Sequence, residues 1–341
     1  MEKLLEDLLQ GRRRALAKVL TIVENQRPEA QDVLATLFPH TGNAWVVGVT
    51  GAPGTGKSSL VNALAKAYRS REQTVGIVAV DPTSPFSGGA ILGDRIRMHD
   101  LTGDSGVFIR SMATRGSLGG LAQTTRDAVR VMDAAGFDII IVETVGAGQS
   151  EVDIVRTADT TLVIEAPGLG DDVQAIKAGI LEIADLLVVN KADRPGADQT
   201  IRSLRAMLEL GHPTAREQMA AHHGTMMRLA ATESEVGRIE EWIPPVLKTI
   251  ATQYDGIEAL VEKIAEHREH IESSHTAHKR KARYMELELY ERLQAQLLAQ
   301  VVGTIAHETI TQMIERILQR ELDPQTAVEQ LLLYMNEVGA D

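Results

Sequence analysis

The chain has 341 residues, with 35 Lys and Arg against 47 Asp and Glu for a formal charge of −12. It contains no cysteine, which excludes disulfide frameworks, thiolate nucleophiles, iron–sulfur clusters and cysteine-based zinc sites. The acidic balance and 44% apolar content describe a chain long enough for a full core but without the clustered positive charge that nucleic acid or anionic membranes require, so the expected partners are proteins and small molecules.

Residues 1–42 open on helical spacing: Leu4, Leu5 and Leu8, then Leu16, Val19, Leu20 and Ile22, with a second short stretch ending near Phe38-Pro39. The first ten residues carry acids and no unbroken apolar run, so neither a signal peptide nor a transit peptide is expected and a cytoplasmic location is. No stretch approaches the roughly 18 apolar residues of a membrane span. From Trp45 the texture changes to short apolar runs separated by helical segments: Trp45–Thr50, Val75–Val80, Val107–Ile109, Asp138–Val142, Thr161–Ile164, Leu186–Val189 and, less sharply, Val246–Ile250. Runs such as Ile139 to Val142 are apolar on consecutive residues, the pattern of strands covered on both faces in a mostly parallel sheet. Residues 43–272 therefore read as one α/β domain.

Residues 273–341 are wholly helical in pattern. Met285, Leu289, Leu293, Leu297 and Val301 recur at i+4, a second stripe runs from Ile310 to Leu318, and a third helix starts at Asp323-Pro324. These stripes either pack on the chain's own domain or form a dimerisation arm.

After the first buried run, Gly51-Ala52-Pro53-Gly54-Thr55-Gly56-Lys57-Ser58 matches G-x-x-x-x-G-K-[ST] at every fixed position, and Ser59 continues it. The glycines let successive backbone N–H groups face phosphates and the next helix points its positive end at them. Lys57 is placed to reach the β and γ phosphates and the Ser58 hydroxyl to ligate Mg2+. Acids at the carboxyl ends of neighbouring strands are candidate metal or water ligands: Asp81, Asp94 and Glu143, with Gly146 a candidate sensor of the γ-phosphate. Arg95, Arg97, Arg110 and Arg115 lie in this part of the sequence, and none is singled out as an arginine finger.

Asn190-Lys191-Ala192-Asp193 ends another apolar run and matches N-K-x-D. A carboxylate at Asp193 accepts both N1–H and the exocyclic amine of guanine, whereas adenine leaves it unpaired, so GTP is the expected nucleotide. Lys191 can lie along the base and Asn190 can brace the loop; Thr249, Ile250 and Ala251 offer a candidate backbone contact to the base O6. The histidines His267, His270, His275 and His278 read as a solvated helix and loop.

Gly51–Ser58, Val80–Pro85, Gly93–Arg95, Glu143–Glu151, Pro167–Asp172 and Asn190–Asp193 together resemble the MeaB/ArgK family, the methylmalonyl-CoA mutase-associated GTPases that include human MMAA. The resemblance covers nearly the whole chain. It implies a SIMIBI-class P-loop GTPase that binds GTP/GDP and Mg2+ and forms a homodimer through its C-terminal arm. It also implies a chaperone role toward an adenosylcobalamin-dependent acyl-CoA mutase, gating cofactor loading and reactivation. Ser58, Asp81, Asp94 and Glu143 match the family's magnesium and switch positions, while Asp171 and Lys177, within a switch spanning 166–177, match residues implicated in coupling to the mutase. Two rival readings are a nickel metallochaperone GTPase, disfavoured by the absence of Cys, and an ATP-dependent kinase of an amino-acid transport system, disfavoured by Asn190–Asp193.

Overall fold

The computed structural model describes residues 1–81, 98–101, 103–113, 120–144, 157–168, 183–210, 242–273, 276–305 and 307–338. The chain divides into two compact units, Met1–Ser273 and Ser274–Asp341. In the first, helices α1 (Glu2–Leu9), α2 (Arg13–Glu24) and α3 (Ala30–Leu37) precede strand β1 (Trp45–Thr50) and helix α4 (Lys57–Ser70). Strands β2 (Val75–Asp81) and β3 (Val107–Ala113) follow, then α5 (Gly120–Ala134), β4 (Ile139–Thr144), β5 (Thr160–Glu165) and β6 (Leu186–Val189). Helix α6 (Ala197–Leu210), β7 (Val246–Lys248) and α7 (Ile257–Ser273) complete it.

The seven strands form one sheet in the order β3-β2-β4-β1-β5-β6-β7, and every pairing between them is parallel. All seven apolar runs became strands. The third extends to Ala113 because Arg110, which looks like a strand breaker, is satisfied: its Nε donates to Glu24 Oε2 of α2 at 3.0 Å. The chain moves from β1 toward one edge through α4 and returns from β3 to β4 through α5. Right-handed crossovers in opposite directions put these helices on opposite faces. Leu60 and Leu64 of α4 accordingly pack with Val47, Val49, Leu162 and Ile264, whereas Val131 and Met132 of α5 pack with Val46, Val78 and Ile140. The face of α5 also receives the amino-terminal helices, through Leu8, Leu16, Val19 and Leu20. The Asp133 carboxylate of α5 secures the linker into β1 by accepting the N–H groups of Asn43 (3.1 Å) and Ala44 (2.9 Å).

At the amino ends of the strands a buried polar chain crosses the sheet. Trp45 Nε1 donates to Thr160 Oγ1 (3.0 Å), which bonds His267 Nδ1 (2.9 Å), and His267 Nε2 faces Asp185 Oδ1 at 3.4 Å. Asp185 Oδ2 accepts the Thr161 N–H at 2.8 Å, and its carbonyl accepts Trp242 Nε1 at 2.8 Å. The reading of His267 as solvated is corrected: it is 2% exposed, on the face of α7 that meets the sheet. A histidine in a polar helix carries no sign of the Thr and Asp that meet it from distant strands.

The second unit holds α8 (Thr276–Thr304), α9 (His307–Leu318) and α10 (Pro324–Val338). Asp323 caps α10, accepting the N–H groups of Gln325 (2.9 Å) and Thr326 (3.1 Å). The Thr326 hydroxyl and these N–H groups hold its carboxyl below the usual carboxylate range. Arg316 Nη1 of α9 donates to Gln330 Oε1 of α10 at 3.3 Å. Leu289, Leu293, Leu297 and Leu298 of α8, Leu318 of α9 and Leu333 of α10 remain exposed within this unit. No helix among the described residues is long and apolar enough to cross a membrane.

Replacing His267 by Ala strips partners from a buried carboxylate and a buried hydroxyl. Urea unfolding is expected to show a loss of about 2–4 kcal/mol with GDP affinity unchanged, because the chain lies at the opposite ends of the strands from the glycine loop.

Candidate nucleotide site

The phosphate loop occupies the carboxyl end of the central strand β1, where open parallel sheets bind ligands. Gly51, Gly54 and Gly56 have φ of 138°, 85° and 92°, values that side chains rarely adopt. Two of them are also fixed by space. A Cβ on Gly51 would lie 2.1 Å from the Ile164 carbonyl oxygen of β5, and one on Gly56 would lie 2.5 Å from Asn190 Nδ2. Pro53 and Gly54 form the exposed rim; Thr55 is buried and its hydroxyl donates to the Ala52 carbonyl at 2.9 Å. Helix α4 begins at Lys57, so the first-turn N–H groups at Lys57, Ser58 and Ser59 and the helix dipole present a positive end at the loop. Lys57 is buried, and its ammonium donates to the carbonyls of Gly51 (2.7 Å) and Ala52 (3.1 Å), which holds a positive charge inside the loop's curve.

Beside this loop, Ser58 Oγ donates to Glu143 Oε1 at 2.7 Å, with both residues buried. Register explains the meeting: β4 pairs directly with β1, and Glu143 stands opposite Val49. A hydroxyl and a carboxylate at hydrogen-bond distance are hard oxygen donors of the kind Mg2+ takes, so the residues fit that ion. Asp81 ends β2 opposite Ala113, one position beyond the pair Val80 and Thr144. Asp94, Gly146, Asp171 and Lys177 lie outside the described residues, as do Arg95, Arg97 and Arg115. Arg110 is paired with Glu24 on the edge strand.

The N-K-x-D segment follows β6. The Asn190 N–H donates to the Glu165 carbonyl at 2.8 Å. Its buried side chain joins both halves of the site: Nδ2 donates to the Thr55 (2.9 Å) and Gly56 (3.4 Å) carbonyls, and Oδ1 accepts from Thr249 Oγ1 (3.2 Å) and Ala251 N–H (3.1 Å). Lys191 adopts a left-handed backbone with φ of 56° and its ammonium donates to the Gly54 carbonyl at 2.5 Å, while Asp193 stays exposed. Thr249, Ile250 and Ala251 are present at the site, but their N–H groups are already committed, to the Val189 carbonyl, the Asp255 carbonyl and Asn190 Oδ1. A contact to the base O6 from any of the three would share or replace one of these bonds. Sequence reasoning also missed a buried bond from Thr144 Oγ1 to Thr50 Oγ1 at 3.1 Å, whose only trace is a threonine closing each of two strands.

A strand, a glycine loop and a helix that cradle phosphates, tied through Asn190 to N-K-x-D, define a P-loop guanine-nucleotide-binding protein. Residues 16–306 match the family described as "Methylmalonyl Co-A mutase-associated GTPase MeaB", and the chain belongs to that family and is a GTPase. A relative from Pyrococcus horikoshii, named as a GTPase, is 47% identical over 333 residues, 97% of either chain. The Caenorhabditis elegans protein named "Methylmalonic aciduria type A homolog, mitochondrial" is 38% identical over 208 residues, 57% of this chain and 52% of its own. Among solved structures, one of a protein named "LAO/AO transport system kinase" aligns with a TM-score of 0.65 at 25% identity, covering 98% of this chain and 97% of that one.

Asn190→Ala removes the cross-tie without touching a phosphate. Titration calorimetry is expected to show GDP and inorganic triphosphate both bound about 10–100-fold more weakly, since the order of the phosphate loop is lost in either case.

Proposed function

We propose that this GTPase is a nucleotide-gated chaperone of an adenosylcobalamin-dependent acyl-CoA mutase, using Lys57 and the Gly51–Ser58 backbone for phosphates and Asp193 and Lys191 for guanine. The observation that carries the nucleotide assignment is the Asn190 carboxamide bonded to the phosphate loop on one side and to Thr249 and Ala251 on the other. The mutase assignment is supported by the family description, which names that association, and by the relative named for methylmalonic aciduria.

In the proposed reaction water attacks the γ-phosphorus of GTP, the bond to the β–γ bridging oxygen breaks, and GDP and phosphate leave. Lys57 and the first-turn N–H groups of α4 stabilise the charge that builds on the phosphate oxygens. Ser58 and Glu143 would hold Mg2+, with Asp81 and Asp94 completing the acidic side; when bound, the ion neutralises β- and γ-phosphate charge. Glu143 orients the attacking water, directly or through a second water. Gly146 senses the γ-phosphate, and Asp171 and Lys177 pass the nucleotide state to the mutase. A switch of this kind needs two states with different partner affinity more than it needs fast turnover.

The exposed leucines of α8, α9 and α10 support a homodimer built on residues 273–341, with residues 1–42 as an amino-terminal helical arm and 43–272 as the GTPase domain. A rival reading, a transport-system kinase, comes from the name of the aligned solved structure. Asp193 speaks against it, because a kinase using ATP gains nothing from a carboxylate that adenine leaves unpaired.

Two measurements test the proposal. Asp193→Asn is expected to weaken GTP about 100-fold and to favour XTP, whose C2 carbonyl accepts the new amide N–H; Lys57→Ala is expected to abolish hydrolysis. GTP turnover followed with a purified adenosylcobalamin-dependent mutase is expected to rise on its addition, and turnover unchanged by such mutases would remove the chaperone reading while leaving the GTPase.

A further inference from the structure

The main-chain ladder between β1 and β4 runs from Trp45 opposite Ile139 to Val49 opposite Glu143. At the next position the two strands are held by their other neighbours: Thr50 pairs with Val163 of β5, and Thr144 with Val80 of β2. Side chains take over the tie at that point. Thr144 Oγ1 donates to Thr50 Oγ1 at 3.1 Å, and both residues are buried.

The position matters because each threonine is joined directly to the site. Thr50 is followed by Gly51, whose Cα packs against the Ile164 carbonyl with no room for a side chain, and Thr144 follows Glu143, which takes the Ser58 hydroxyl. Side chains alternate along a strand, so Glu143 faces the α4 side of the sheet and Thr50 and Thr144 the α5 side. The carboxyl ends of β1 and β4 are thus clamped from both faces, by Ser58 with Glu143 on one and by the hydroxyl pair on the other. Loss of the pair removes the tie on the α5 face and leaves the Ser58–Glu143 bond on the other.

We propose that Thr144, through its bond to Thr50, is a positioning residue for GTP hydrolysis: it fixes the spacing between the phosphate loop and the root of the segment that follows Glu143. Neither threonine is among the residues assigned above to phosphate, base or metal. The pair acts by holding Glu143 and the phosphate loop in the geometry of attack, where a displacement near 1 Å costs about 100-fold in rate. The proposal rests on the assignment of Gly51–Ser58 and Glu143 to the GTP site.

The experiment is single-turnover and steady-state GTP hydrolysis by the full chain in saturating Mg2+, for Thr50→Val, Thr144→Val, the double variant, Thr144→Ser and Lys57→Ala. Valine keeps the shape and removes the hydroxyl. Each single valine variant is expected to lower kcat about tenfold, with KM for GTP and GDP affinity within about twofold of the parent. Thr144→Ser is expected to restore the rate, and the double variant to be no slower than the slower single, since both hydroxyls serve one bond. The double variant leaves no buried hydroxyl orphaned and keeps the comparison readable if a single variant unfolds. Parental kcat in Thr144→Val, losses that multiply in the double variant, or a serine variant as slow as the valine one would each overturn the proposal. Lys57→Ala separates the two levels. Hydrolysis surviving in it removes the site assignment, whereas its loss beside normal turnover in Thr144→Val removes only the positioning role.

Discussion

The site depends on one buried carboxamide. Asn190 can donate twice and accept twice, and all four positions are used: toward Thr55 and Gly56 by its nitrogen, and from Thr249 and Ala251 by its oxygen. Such a group is costly to bury unless every partner is present, so its four contacts stand or fall together. That constraint accounts for features far apart in the sequence. Gly56 has to be glycine because the Asn190 amide occupies the place of a Cβ. Strand β7 stops at Lys248 because the next residues turn to meet Asn190, and Lys191 accepts a left-handed backbone at the point where the chain leaves β6.

The sheet supplies the framework for this contact. Placing β1 between β4 and β5 brings a carboxylate to Ser58 from one neighbour and a backbone wall to Gly51 from the other. Given this order, crossover handedness sets α4 and α5 on opposite faces, where each finds apolar cover. Helices α1–α3 belong to the same packing, since Leu8, Leu16 and Leu20 close the α5 side of the sheet over Val46, Val78 and Ile140. The helices after Ser273 form a unit of their own, with leucines left facing outward.

Much of this was legible in the sequence. The strands announced themselves as consecutive apolar residues because both faces of the sheet are covered, and the phosphate loop and N-K-x-D are local patterns whose chemistry needs fixed spacing. What escaped reading was tertiary. His267 is polar and sits in a charged helix, yet Thr160 and Asp185 make it a buried member of a hydrogen-bonded chain. Arg110 hid the second half of β3 because its partner, Glu24, lies in the amino-terminal helices. The turn by which Thr249 and Ala251 meet Asn190 leaves no local signal either. Each case pairs residues with no common period or motif, which only the fold brings together.

On this reading the Asn190 cross-tie assembles a phosphate loop and a base-reading carboxylate into one site selective for guanine. The most direct test of that selectivity is titration calorimetry of the unmodified chain with GDP and with ADP, both in Mg2+. GDP is expected to bind at least about 100-fold more tightly than ADP, the margin set by leaving Asp193 unpaired. Equal affinity for the two would contradict the reading.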